Sequence, residues 1–177
     1  MGKKIFFSFL LFIFPVHLIF AAAGWEIIAP GGKEIMRNRL VAKRTLEKPV
    51  MVNYHGSRLE GDQVEYLKDE QVIILSGHIS GSYLSAGVTY QIKADKFILL
   101  INKKHAVLTG LVCVKWNAKE GPVELFADEI SWFEPEDKFI CRGKVNINTK
   151  QTEKTSFFTE IMEIYPHKGT FTTGSMT

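Results

Sequence analysis

Few side chains in this sequence stand at spacings that chemistry needs. The aspartates Asp62, Asp95 and Asp128 recur at one constant interval. A carboxylate works as a general acid or base only where one place is built around it, so equivalent carboxylates at successive levels of a repeating chain point to scaffold. The histidines His17, His55, His78, His105 and His167 include no HxH or HExxH pair, which leaves no metal site and no imidazole base in view. No GxSxG, P-loop or dinucleotide fingerprint occurs, and no cofactor is implied. The thiols Cys113 and Cys141 are the remaining reactive groups. A bridge between them would suit an exported protein, but strand parity turns Cys113 outward and Cys141 inward, where bridging geometry is hard to reach.

The elements that carry these residues are repeats. Each aspartate is followed at a constant offset by a glycine, Gly77, Gly110 and Gly143, with a β-rich run between. A weaker fourth copy has Glu160 and Gly174 in the corresponding places. A fixed period within the range of roughly 20–50 residues means stacked supersecondary units, and a degenerate last copy suits a cap. The polar stretches Lys68–Gln71, Asn102–His105 and Glu134–Asp137 separate apolar runs, so each unit contains an antiparallel hairpin. The expected class is all-β.

Alternation sorts the faces. Val64, Phe97 and Ile130 align between units, as do Tyr66, Leu99 and Trp132; on the second strand Leu75, Leu108 and Cys141 align, followed by Ile79, Val112 and Val145. These point inward, while Gln63, Lys96, Glu129 and Arg142 face out. The inward parity slips by one residue at each aspartate, as a β-bulge or sharp bend would make it do. Asp62, Asp95 and Asp128 therefore read as corner residues whose carboxylates accept local backbone N–H bonds. Gly77, Gly110 and Gly143 read as mid-strand kinks that let the sheet curl.

Length and charge bound the partners. With 177 residues, 46% of them hydrophobic, the chain suits one domain with a sizeable core. A net charge of +3 with interspersed signs, and no basic stripe with interleaved aromatics, excludes a nucleic-acid partner. Residues 1–23 read as a signal peptide: Lys3 and Lys4, an apolar run from Ile5 to Phe20, then Ala21-Ala22-Ala23. The same run approaches the length of a retained membrane anchor. Residues 24–49 read as a polar linker or short helical arm, with Ile35, Met36, Leu40, Val41 and Leu46 at loosely helical spacing. Residues 50–177 form the repeat domain, with candidate edge strands at Val50–His55 on one end and at Phe157–Tyr165 and Phe171–Thr173 on the other.

The repeated unit resembles a known family. Gly61-Asp62-Gln63-Val64-Glu65-Tyr66, Ala94-Asp95-Lys96-Phe97-Ile98-Leu99 and Ala127-Asp128-Glu129-Ile130-Ser131-Trp132, closing on Ser76-Gly77, Thr109-Gly110 and Arg142-Gly143, look like the OstA-like domain of the bacterial lipopolysaccharide transport system. That family includes periplasmic LptA-like proteins, membrane-anchored LptC-like proteins and the N-terminal domain of the LptD-like translocon. The resemblance implies an OstA-like β-jellyroll of two splayed antiparallel sheets, located in the periplasm, with no enzymatic activity. It implies lipopolysaccharide or lipid A as ligand, and other OstA-like domains or further copies of the chain as end-to-end partners. The implied lipid-binding lining is Val64, Tyr66, Phe97, Leu99, Leu108, Val112, Val114, Ile130 and Trp132. The role implied first is an LptA-like periplasmic bridge; the alternatives are an LptC-like component anchored in the inner membrane and a structural β-repeat protein of the envelope that carries no lipid. On the lipid reading, Leu99→Asp or Trp132→Asp abolishes lipid binding more readily than Lys96→Asp.

Overall fold

A computed structural model describes residues 20–22, 24–150 and 154–174; the rest of the signal-peptide segment lies outside the described residues. Among the described residues, fourteen strands form one antiparallel sheet that does not close on itself. Short strands come first: β1 (Phe20–Ala22), β2 (Trp25–Ile28), β3 (Lys33–Met36), β4 (Arg39–Lys43), β5 (Val50–Tyr54), β6 (Ser57–Gly61) and β7 (Gln63–Leu67). Long strands follow: β8 (Val72–Ser85), β9 (Val88–Leu100), β10 (His105–Ala118), β11 (Gly121–Phe133), β12 (Lys138–Lys150) and β13 (Lys154–Tyr165), and a short β14 (Thr170–Thr173) ends the sheet.

Each long strand serves two leaves of a folded sheet. The first half of β8 pairs with β7 through Val64↔Leu75, and its second half pairs with β6 through Leu59↔Gly81. Leaf one is therefore β3, β4 and β7, half of each strand from β8 to β13, and β14. Leaf two is β1, β2, β5 and β6 with the remaining halves. The polar turns read from sequence join strands at the outer margin of leaf one. The turn at Ala86-Gly87, with both residues at positive φ, is the kind that matches strand twist in a two-residue hairpin; it joins β8 to β9 at the outer margin of leaf two.

The bend between the leaves runs along the repeated glycines. The ladder slips between Ser76 and Ile79, between Thr109 and Val112, and between Arg142 and Val145. In each case two residues, Gly77-His78, Gly110-Leu111 or Gly143-Lys144, stand opposite one on the next strand. The bulge expected at the aspartates is present, but the extra residue belongs to the glycine strand. Both members of each pair have left-handed φ: 76° and 46°, 75° and 34°, 68° and 47°. Leu111 adopts this conformation while 84% exposed. Each aspartate sits over the glycine that closes its own unit, and a Cβ on Gly77, Gly110 or Gly143 would lie 2.3, 2.3 or 2.5 Å from the carboxylate oxygen of Asp62, Asp95 or Asp128. That contact is the physical content of the repeat. In the fourth copy Glu160 lies opposite Gly143-Lys144, and β14 pairs with the leaf-one part of β13.

Two expectations are corrected at the N-terminal end. Residues 24–49 contain no helix: they supply β2, β3 and β4, with Trp25, Ile27, Leu40 and Ala42 in the core. Their period-two pairs, Trp25 with Ile27 and Leu40 with Ala42, are the strand signal, and the exposed Ile35, Met36 and Leu46 gave the false impression of helical spacing. The segment crosses between leaves, since β2 pairs with β1 and β5 whereas β4 pairs with β7. As a result β5 is no edge. It lies between β2 and β6, and among the described residues the N-terminal edges are β1 and β3. At the other end the edges among the described residues are β14, as expected, and the leaf-two part of β13; the expected edge Phe157–Tyr165 is corrected, because Met162–Tyr165 pairs with β14 and lies inside the sheet.

Candidate apolar ligand site

The interior between the leaves is the place where a ligand could be held. Every position in the implied lining faces it, and every one is buried, from Val64, Leu108, Val114 and Ile130 at 0% to Tyr66 at 4%. Burial of each such side chain stabilises the fold by roughly 1.5–3 kcal/mol. The positions are close-packed, so in this conformation they are core and leave no open channel between them.

Aromatic rings fill the space between the leaves toward their outer margins. Tyr83, Tyr90 and Trp116 come from leaf two; Phe97, Trp132 and Phe139 come from leaf one. Tyr83 and Tyr90 stand edge-on to Trp132 at 4.9 and 4.6 Å between centroids, and Trp132 meets Phe139 at 4.9 Å. Such edge-to-face pairs add about 0.5–1.5 kcal/mol each beyond area burial. The Tyr83 hydroxyl donates to a Glu134 carboxylate oxygen across the gap. Burial and the neighbouring Glu134 carboxylate push the Tyr83 phenol up, and burial does the same for Tyr90, so both remain neutral.

The interior opens near the C-terminal end. A cavity of about 240 Å³ lies between the leaf-two residues Trp116, Ala118, Val123 and Ile147 and the leaf-one residues Ile164, Tyr165, Pro166 and Phe171, with Glu120 and Thr170 at its rim. β14 forms part of its leaf-one wall through Thr170 and Phe171. None of the implied lining residues borders it. Sequence alternation marks Val123 and Ile147 as inward, but it carries no sign that the leaves part at that level.

Other predicted residues take different places. The Asp62 carboxylate does not accept local backbone N–H bonds; it is held by Arg44 Nη1 and by His78 Nδ1, each at 2.7 Å. The local bonds are made by its own backbone N–H, which donates to the Ser76 and Gly77 carbonyls. The His78 and Arg44 contacts hold its carboxyl below the usual carboxylate range. A depressed folded-state value contributes stability above the unfolded value of 3.8 and loses it as pH falls through the folded value. Asp62→Asn is therefore expected to flatten the acid limb of stability below about pH 4, read as urea midpoints at stepped pH, and to lower the midpoint at neutral pH.

Both cysteines are free and buried. Cys141 lies inside leaf one, where burial pushes its thiol up to about 12. Cys113 is on the outer face, paired across strands with Lys93 and Phe126. It is nevertheless 9% exposed, and burial raises it too. A protonated thiol is a poor nucleophile. Among the described residues no group of three or more His, Cys, Asp or Glu side chains is placed to hold a metal ion, and no helix is long and apolar enough to cross a membrane.

No protein-family profile matches this sequence, and no curated protein matches it. Among solved structures, the chain is similar to the crystal structure of LptH, the LptA-homologous periplasmic component of the lipopolysaccharide transport device of Pseudomonas aeruginosa. The match has 15% sequence identity, covers 76% of this chain and 93% of that one, and has a TM-score of 0.53. At this identity the likeness is one of backbone architecture, and it agrees with the folded antiparallel sheet built from its glycine spine: the chain has the LptA-like β-jellyroll fold.

Proposed function

We propose that this chain is a periplasmic carrier of lipopolysaccharide or lipooligosaccharide that shelters lipid A acyl chains between its two leaves and joins end to end with domains of the same fold. The observation that carries the reading is a continuous apolar interior between two leaves of an LptA-like jellyroll, open at one end into a cavity of about 240 Å³. Each methylene moved into water costs about 0.8 kcal/mol, so one chain of about a dozen carbons costs on the order of 10 kcal/mol. A multi-chain amphiphile crosses an aqueous compartment only inside an apolar shelter. The lining assigned from sequence, from Val64 to Trp132, becomes available once the leaves separate, and the C-terminal cavity is the part already open.

Edge strands support the assembly. Among the described residues β1 and β3 at one end and β14 with the leaf-two part of β13 at the other stand at the margins of the sheet, and sheet edges accept another strand. A role anchored in the inner membrane differs from this one in residues 1–23 and uses the same interior.

The close packing of the central interior favours a second reading, a structural β-repeat protein of the envelope that carries no lipid. Native purification from a lipopolysaccharide-producing cell followed by mass spectrometry separates the two. A carrier brings stoichiometric lipid A-type acyl chains with it, and Phe171→Asp, in the partly exposed cavity wall, loses them. An empty wild-type protein supports the structural reading.

A further inference from the structure

The outer margins of the two leaves are tied by a histidine whose ring nitrogens both face acceptors. His167 lies in the β13–β14 turn of leaf one. Its Nδ1 is 2.6 Å from an oxygen of Asp137 in the β11–β12 turn of the same leaf, and its backbone N–H donates to the other Asp137 oxygen at 2.9 Å. Its Nε2 is 3.1 Å from the Ala86 carbonyl oxygen, in the β8–β9 turn of leaf two. A neutral imidazole has one N–H and one lone pair, whereas the imidazolium has two donors. Only the protonated ring satisfies both contacts.

We propose that His167 is a proton-operated latch: the imidazolium ties Asp137 of leaf one to the Ala86 carbonyl of leaf two, and loss of one proton releases the margin between the leaves. The proton that remains stays on Nδ1, because a carboxylate is the stronger acceptor. Nε2 then turns a lone pair toward the Ala86 carbonyl, so the contact that fails is the one crossing between leaves. The Tyr83 to Glu134 bond lies along the same margin, and beneath it are the rings of Tyr90 and Trp132. Freeing the margin unseals the interior along its length. The device follows from the fold and does not depend on which molecule enters.

The surrounding charges leave Asp137 in control. Lys138 is held by Glu136, and Lys168 sits over the Tyr165 ring. From the leaf-two side Tyr83 and Tyr90 face this margin and burial keeps both neutral, and the Glu120 carboxylate of the β10–β11 turn approaches Gly169 in the His167 turn. The Asp137 and Ala86 contacts raise the His167 ring above the ordinary imidazole value of 6.5. A raised folded-state value means that the latch is complete below 6.5 and is lost as pH rises through the folded value.

The test is a distance between leaves. Spin labels are placed at exposed Thr89→Cys in leaf two and exposed Pro135→Cys in leaf one, while the buried Cys113 and Cys141 stay unlabelled, and pulsed electron resonance reads the full chain at about pH 5 and about pH 9. The expected result is a narrow, short distribution at low pH that shifts to longer distances at high pH. In His167→Gln, which cannot gain a proton, the pH shift is lost while circular dichroism still shows the β-fold. An identical wild-type distribution at both pH values, or a pH shift undiminished in His167→Gln, overturns the latch.

Discussion

Leu99→Asp unfolds the domain. Leu99 is 3% exposed in the centre of leaf one, with Ile73 and Ala106 beside it on the neighbouring strands. Truncating a buried leucine costs about 2–5 kcal/mol, and an unpaired carboxylate in the same place adds several more through lost hydration. The sum reaches or exceeds most of the roughly 5–15 kcal/mol that holds a domain together. Trp132→Asp, at 1% exposure and against Tyr83, Tyr90 and Phe139, has the same fate. Lys96→Asp, on the outer face, changes stability little. The measurement is equilibrium unfolding followed by circular dichroism: the first two variants lack a cooperative transition, and the third keeps one near the parent midpoint. Loss of lipid by Leu99→Asp then reports loss of fold, so a lipid test must use the cavity rim, where substitutions leave the core intact.

Gly110→Ala is expected to cost about 2–5 kcal/mol, the sum of a backbone and a contact term. Its φ of 75° is left-handed, which takes roughly 1–2 kcal/mol from any L-residue with a Cβ. The new methyl would also stand 2.3 Å from an Asp95 oxygen, and forcing such a contact apart costs typically about 1–3 kcal/mol. The two costs separate in a double-mutant cycle. Asp95→Gly removes the contact and leaves the backbone term, so Gly110→Ala in that background should cost about 1–2 kcal/mol. Equal costs in both backgrounds would show that the aspartate is not what reserves the position for glycine. Gly77 with Asp62 and Gly143 with Asp128 have the same geometry, which is why the pair recurs with a constant offset.

That recurrence is also why so much of the fold was legible. An aspartate that must clear the glycine closing its own unit imprints a period on the sequence, and the inward residues of Val64, Leu99 and Trp132 type follow by alternation. The N-terminal strands left no such imprint. β3 and β4 are short, β3 is largely exposed, and the chain changes leaf between β2 and β3 at Pro30-Gly31-Gly32. Their pairing with β7 is a tertiary fact that local spacing does not record. The candidate site was legible only in part. Parity tells which face a side chain takes, but not whether the opposite leaf touches it. Tyr83, Tyr90 and Phe139 have inward parity like any core residue, and nothing in their spacing says that they meet Trp132. Likewise, Ile147 and Phe171 come from opposite leaves, and nothing in their spacing says that they line one cavity. His167 and Asp137 lie in turns of different hairpins, and the carbonyl that completes their contact, Ala86, carries no side-chain signature at all.

Photocrosslinking in living cells shows directly whether the space between the leaves is a lipid path. A photoreactive phenylalanine replaces Phe171, which lines the cavity, with a second at buried Leu99 and a control at outward Lys96. Lipopolysaccharide adducts are expected at Phe171 and, as cargo passes between the leaves, at Leu99, with none at Lys96. A folded, exported protein that gives no adduct at Phe171 or Leu99 would contradict a lipid path and leave the interior as ordinary core.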